Sequence, residues 1–303
     1  MNLSSKLHKA IFATGALVFS GVLAATPASA ASPTAAKAAI VPATPAPAGA
    51  PALGLFSISA SGQSVNEWTG NQNWTQIGGA SAGIAVGPTG VVSIAPGSNN
   101  VYLNNGSGWT QIGGAAKQVV QDSSGNIFSI SASGQSVNEW TGNQNWTQIG
   151  GASAGIAVGP TGVVSIAPGS NNVYLNNGTG WTQIGGAAKQ VVQDSSGNIF
   201  SISASGQSVN EWTGNQSWTQ IGGPSESLTA GGPGLISIAP SSLNVFAYTG
   251  SGWTQIGGAA KEVAQDSSGD IFSISASGQS VNEWTGGQSW TQIGGPAEHL
   301  AAY

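Results

Sequence analysis

The sequence predicts an all-β fold, a seven-bladed β-propeller of four-stranded antiparallel blades. Three observations predict it. The hexapeptide WTQIGG occurs seven times, beginning at Trp74, Trp109, Trp146, Trp181, Trp218, Trp253 and Trp290. Gly, Asn, Ser, Thr and Val are abundant while Leu, Lys and Glu are scarce, a balance that suits strands and turns rather than helices. The last eight residues, PAEHLAAY (296–303), align with PSESLTAG (224–231) at the start of a unit, and the first unit lacks that strand.

Residues 1–30 read as a secretory signal peptide. Lys6 and Lys9 precede an apolar run from Ala10 to Ala25, and Ala28-Ser29-Ala30 forms a small-residue cleavage site. The run is short for a membrane span, and no later segment is apolar enough to be one. Export follows as an expectation, with an extracellular location and no membrane insertion. Residues 31–53 are almost all Ala, Pro, Ser, Thr and Gly, an extended linker that cannot bury a core. The folded domain is expected over 54–303.

The repeat sets the architecture. Phe56, Phe128, Phe200 and Phe272 stand 72 residues apart, and residues 56–127 and 128–199 differ only at Ser107 against Thr179. Within each block the hexapeptide recurs at steps of 35 and 37 residues, so the elementary unit has two forms, short and long. Periods of this size mark solenoids, propellers or arrays. The long unit reads as four strands, AKQVVQD, NIFSISA, SVNEWT and NWTQIG, joined by Gly-containing turns. Phe128, Ile130 and Ala132 alternate with Ser129 and Ser131, the period of a half-buried strand. Short strands and tight turns favour an antiparallel meander, hence a propeller blade. Cysteine is absent, so no disulfide can close the ring. The C-terminal strand completing the N-terminal blade would do so instead, and would leave no free sheet edge.

The stretch GWTQIGGAAKQVVQDSSGNIFSISASGQSVNEWTGNQNW resembles a tectonin repeat, with its Trp, Ile-Gly step, apolar strand, Gly turn and second Trp hairpin. The resemblance covers 54–303 and implies a β-propeller lectin, as in tectonins and fish-egg lectins and more loosely tachylectin-like proteins. GIAVGPTGVVSIAPGSNNVY is similar to the NHL and streptogramin-lyase propellers, which do not usually carry WTQIGG.

The hexapeptide Trp occurs in both forms of unit, so it reads as a packing residue between neighbouring blades. A second set occurs only in the long form, as Asn66-Glu67-Trp68, Asn138-Glu139-Trp140, Asn210-Glu211-Trp212 and Asn282-Glu283-Trp284. Sugar sites stack an aromatic face on a pyranose and fix its hydroxyls with carboxylates and amides, and each triplet holds all three groups. In a strand, however, Glu67 points away from Asn66 and Trp68, so a site would take its Glu from a neighbouring blade or from the bend. A Trp covering the blade rim beside a solvated Glu is the competing reading. The turns DSSGN (122–126, 194–198) and DSSGD (266–270) have too few oxygen ligands for a calcium loop and read as Asp-capped turns.

Charge and chemistry narrow the function. Beyond residue 30 there are four lysines and no arginine against eleven acids, a net charge of −7. Such a chain lacks the cationic surface that nucleic acids and anionic membranes require. In that same stretch one histidine, His299, and no cysteine leave little for a catalytic triad or a histidine-based metal site. Without arginine a sialidase-type carboxylate clamp is excluded. The expectation is a non-catalytic, multivalent carbohydrate binder without cofactor or metal, whose partners are glycans. The alternatives are a structural or adhesive extracellular propeller, and a lyase-like propeller.

Overall fold

The computed structural model describes residues 16–17, 54–232 and 234–303. Apart from a two-residue strand, Ala16–Leu17, paired with Ile156 and Gly155, the expected signal segment and the linker lie outside the described residues. Among the described residues there is no helix, and therefore none long and apolar enough to cross a membrane.

Antiparallel sheets of eight, seven, seven and four strands curl into propeller-like blades. A long unit runs through Ile127–Ser131, Val137–Gly142 and Asn145–Gly150, each paired with the next. Its hairpin turn is tight: in the first unit Asn71 and Gln72 both take positive φ, 49° and 64°, the conformation that a two-residue turn matching strand twist demands. A short unit runs through Gly83–Gly87, Gly90–Ile94 and Asn100–Asn104. A side chain at Gly90 would come within 2.2 Å of the Asn104 carbonyl, so only glycine fits there.

Two junction types alternate. From short to long unit the chain does not break: Trp109–Gln121 is one 13-residue strand, pairing with Asn100–Asn104 through 109–115 and with Ile127–Ser131 through 116–121. Strands Trp181–Gln193 and Trp253–Gln265 repeat this. From long to short unit four residues leave the sheet, for example 79–82, where the Ser81 hydroxyl meets that of Ser93 at 2.8 Å.

The C-terminal strand Ala297–Ala302 pairs antiparallel with Leu55–Ser59, from Leu55↔Ala302 to Ser59↔Ala297. That is the pairing expected from the alignment of 296–303.

The core lies between sheets. One cluster joins Phe56, Ile58 and Val65 of the first long unit to Ile84, Val91 and Trp109 of the next. Another joins Trp68 and Trp74 to Phe272, Ile274 and Ile293 near the C-terminus. This corrects the expectation of half-buried strands: Ser57, Ser129, Ser201 and Ser273 are each 5% exposed, because neighbouring sheets cover both faces of the second strand. Small hydroxyl residues let the neighbour approach, so the alternation marks two different buried faces. The innermost strands surround a central cavity of about 200 Å³, lined by Val119, Val191, Leu228, Val263 and Leu300 among others.

Candidate functional site

The hexapeptide is explained residue by residue. Each Trp donates its indole N–H to the Ile carbonyl of the preceding copy: Trp109 to Ile77 (2.6 Å), Trp146 to Ile112, Trp181 to Ile149, Trp218 to Ile184, Trp253 to Ile221 and Trp290 to Ile256. Trp74 donates to Ile293 of the last copy at 2.8 Å. The ring lies on the first Gly of that preceding copy. A methyl group at Gly185 would stand 2.6 Å from Trp218 Nε1. The Gln amide donates to that Gly carbonyl within its own copy, as Gln148 does to Gly150 at 3.0 Å. Trp, Gln, Ile and Gly are thus one half-buried joint between units, made seven times.

The Asn-Glu-Trp hairpins sit beside these joints. In the first, Asn66 faces Gln76, Glu67 faces Thr75 and Trp68 faces Trp74 across the ladder. By strand alternation Asn66, Trp68, Trp74 and Gln76 share one face, turned toward the preceding sheet, and Glu67 and Thr75 share the other. The structure therefore groups Asn with Trp and sets Glu apart from both, in every long unit.

The two polar ends of the Asn/Trp face are already engaged. Asn66, Asn138, Asn210 and Asn282 each donate an amide N–H to the hydroxyl of the serine two residues earlier. The indoles of Trp140, Trp212 and Trp284 donate to turn carbonyls of Asn143, Asn215 and Gly287, and their rings are half-buried against the preceding short unit. Trp68 differs. Its preceding neighbour is another long unit, it is 8% exposed, it meets Phe272 edge-on at 6.1 Å, and its Nε1 is buried without a partner.

The Glu face looks toward the next sheet. Glu67 pairs with Phe56 and lies two residues from Val65, whose side chain packs against the following short unit. At that junction a cavity of about 260 Å³ is lined by Val65, Ser93, Tyr102 and Trp109. Tyr102 was not singled out from the sequence. Its signal is modest: Tyr102 and Tyr174 hold the same place in two short units, and Phe246 holds it in the third. Glu139 with Tyr174 and Trp181, and Glu211 with Phe246 and Trp253, occupy the corresponding places at the next two junctions of this type.

Glu283 faces a different neighbour from Glu67, Glu139 and Glu211. Burial, then the charges of Asp270 and Asp266, raise its pKa above the ordinary carboxylate range. The sheet it faces next is the N-terminal one, where Asn66 stands in place of a tyrosine.

The acid turns behave as the sequence suggests. Asp122 Oδ1 accepts from the backbone of Ser124 and Asn126, and Oδ2 accepts the Asn126 amide at 2.8 Å. Among the described residues, no group of three or more His, Cys, Asp or Glu side chains is placed to hold a metal ion.

The Tectonin domain pattern matches residues 57–230. No curated protein matches the sequence. Solved structures share the fold at low identity. Virginiamycin B lyase from Staphylococcus aureus is similar at TM-score 0.55 and 13% identity, over 69% of this chain and 82% of that one. A streptogramin B lyase reaches 0.54 at 12% identity, over 80% and 87%. YCF48 bound to D1 peptide reaches 0.52 at 14%, over 80% and 87%.

Proposed function

Because the chain belongs to the tectonin-domain family, we propose that it is a secreted, non-catalytic carbohydrate-binding protein with several sites on one rigid ring. We infer that the ring has seven four-stranded blades closed noncovalently at the termini. The pairing of Leu55–Ser59 with Ala297–Ala302 and the Trp74–Ile293 hydrogen bond support that closure. The surface carries none of the arginines an anionic ligand would call for.

The observation that carries the reading is the inter-sheet cavity lined by Val65, Ser93, Tyr102 and Trp109; by strand alternation Glu67 shares the hairpin face of Val65. Its volume suits one pyranose. Aromatic rings, a hydroxyl and a nearby carboxylate are the groups that hold sugars. In this arrangement the Glu of each Asn-Glu-Trp triplet serves the groove on its own side, and the Trp supports the hairpin from the opposite face. Equivalent positions recur as Glu67/Tyr102/Trp109, Glu139/Tyr174/Trp181 and Glu211/Phe246/Trp253. Several weak sites on one body act together on a multivalent surface. The likeness to the lyases, at 12% and 13% identity, is one of fold alone.

A glycan array with soluble-sugar competition tests the function. Titration calorimetry with a sugar hit then reads stoichiometry. The expected result is more than one site per chain, with one groove lost in Glu139→Gln and the same groove weakened in Tyr174→Phe. No glycan bound above background, or binding unchanged in Glu139→Gln and Tyr174→Phe together, overturns it.

A further inference from the structure

The C-terminal unit departs from its siblings at charged positions, and one of these departures, at Glu262, lies at the seam with the N-terminal sheet. In the two middle long units a neutral glutamine bridges to the next sheet. Gln118 donates to the Ile156 carbonyl and accepts from its N–H, and Gln190 does the same with Leu228. At the seam that residue is Glu262. It accepts the Leu300 N–H at 3.0 Å and meets His299 Nδ1 at 2.8 Å, with both side chains about nine-tenths buried, 11% and 12% exposed. A second exchange lies on the same strand's exit. Asp194 Oδ2 is satisfied by the Asn198 amide at 2.8 Å, but Asp270 replaces that asparagine in the last unit. Asp266 is 1% exposed. Its Oδ1 accepts three backbone N–H groups, and its Oδ2 is left without a partner.

We infer that this seam is an acid-tightened lock: the buried His299–Glu262 pair strengthens ring closure as pH falls and loosens it as pH rises, while a proton held at the Asp266–Asp270 turn steadies the C-terminal unit in the same direction. The charged surroundings are few. Lys261 pairs with Glu298 at 3.0 Å nearby, one opposing and one favouring the imidazolium. The strands packed against 297–302, namely Leu55–Ser59, Gly83–Gly87 and Ile271–Ser275, carry no charged side chain, and Glu262 and Lys261 supply the charge from the fourth. Around Asp266 the acids are Asp270 and Glu283.

Both groups act in one direction. Burial works to lower the His299 pKa, but the charge and hydrogen bond of Glu262 outweigh it and hold it above its ordinary value. A histidine raised on folding contributes stability that is whole below its unfolded pKa and is lost as pH rises through the folded one. Burial raises Asp266 to about 6, helped by Asp270 and opposed by the backbone donors. A carboxyl raised on folding likewise favours the fold in its protonated form, and that contribution is lost as pH rises through about 6. Asp266 therefore gives up its share as pH rises from the ordinary carboxylate range to about 6, and His299 gives up its share above the ordinary imidazole value.

The test uses the full-length protein and a variant, Glu262→Gln/His299→Ser/Asp270→Asn, which restores the neutral groups of the Gln190–Asn198 unit and should fold at least as well. Thermal melts from pH 5.5 to 8.5 should show the parent losing on the order of 5 °C relative to the variant. Hydrogen exchange, corrected for its intrinsic pH dependence, should show amides 297–302 losing protection selectively in the parent. Equal slopes for the two proteins, or a parent that gains stability with pH, overturn the lock. So does recovery of the parent's Tm by millimolar Ca²⁺ at pH 8 that the variant does not share, which would make the acid turn a cation site.

Discussion

Trp74 and Ile293, 219 residues apart in sequence, are joined by a 2.8 Å hydrogen bond from indole N–H to backbone carbonyl. It is the same bond that every other hexapeptide makes to the copy before it. The first copy is therefore held by the last in the manner of any two consecutive copies, and the Trp ring finds Gly294 beneath it, where a methyl group would stand 2.7 Å from Nε1. The Trp-on-Gly joint yields a sharp contrast.

Gly185 and Gly186 are adjacent in one IGG, yet only the first lies under a Trp. Gly185→Ala should cost about 1–3 kcal/mol, the range for forcing a group into a packed contact. Gly186→Ala, with nothing within 4 Å of the added carbon, should leave stability unchanged. Urea melts of both variants decide the matter, and equal effects would remove the joint from the account.

Emptying the joint is the complementary change. Trp181→Ala loses the ring between sheets and its bond to Ile149. The expected loss is about 3 kcal/mol, the low end for a large aromatic because the ring is half-buried. Calorimetric unfolding measures it. Trp68→Ala should cost more than Trp140→Ala in the same experiment, since Trp68 is 8% exposed against Phe272.

Deleting 296–303 removes the strand paired with Leu55–Ser59 and leaves an open edge on each side. Aggregation, or a broad and non-cooperative melt, is the expected outcome. A truncated protein that melts like its parent would separate closure from the C-terminal strand.

The grooves should not be equal. Tyr102 and Tyr174 bring a phenol hydroxyl where Phe246 brings none. Phe246→Tyr should strengthen the weakest site and bring calorimetric titrations closer to a single class, while Tyr174→Phe should add to the weak class. Identical isotherms for both variants would move the sites away from these grooves.

The unit length, the four strands, the terminal pairing and the role of the hexapeptide Trp were all legible, because each leaves a periodic trace in a nearly exact repeat. The buried Ser129 face was not, since alternation reports that two faces differ and not that both are covered. Nor was the meeting of Glu67's face with Tyr102, 35 residues on, since it depends on how one sheet is laid against the next. Glu262 and His299 were visible as letters, but their contact exists only once residue 299 lies beside the strand of residue 262.

The alternation of unbroken and broken junctions divides the molecule mechanically. Where one strand of 13 residues belongs to two sheets, as at 109–121, twisting one sheet must twist its neighbour. Where four residues leave the ladder, as at 79–82, no continuous backbone ladder transmits that torque. The cavity of Tyr102 and Trp109 lies at a junction of the second kind. That cavity is thus a softer joint between the lone four-stranded sheet at the termini and the first stiff two-sheet girder.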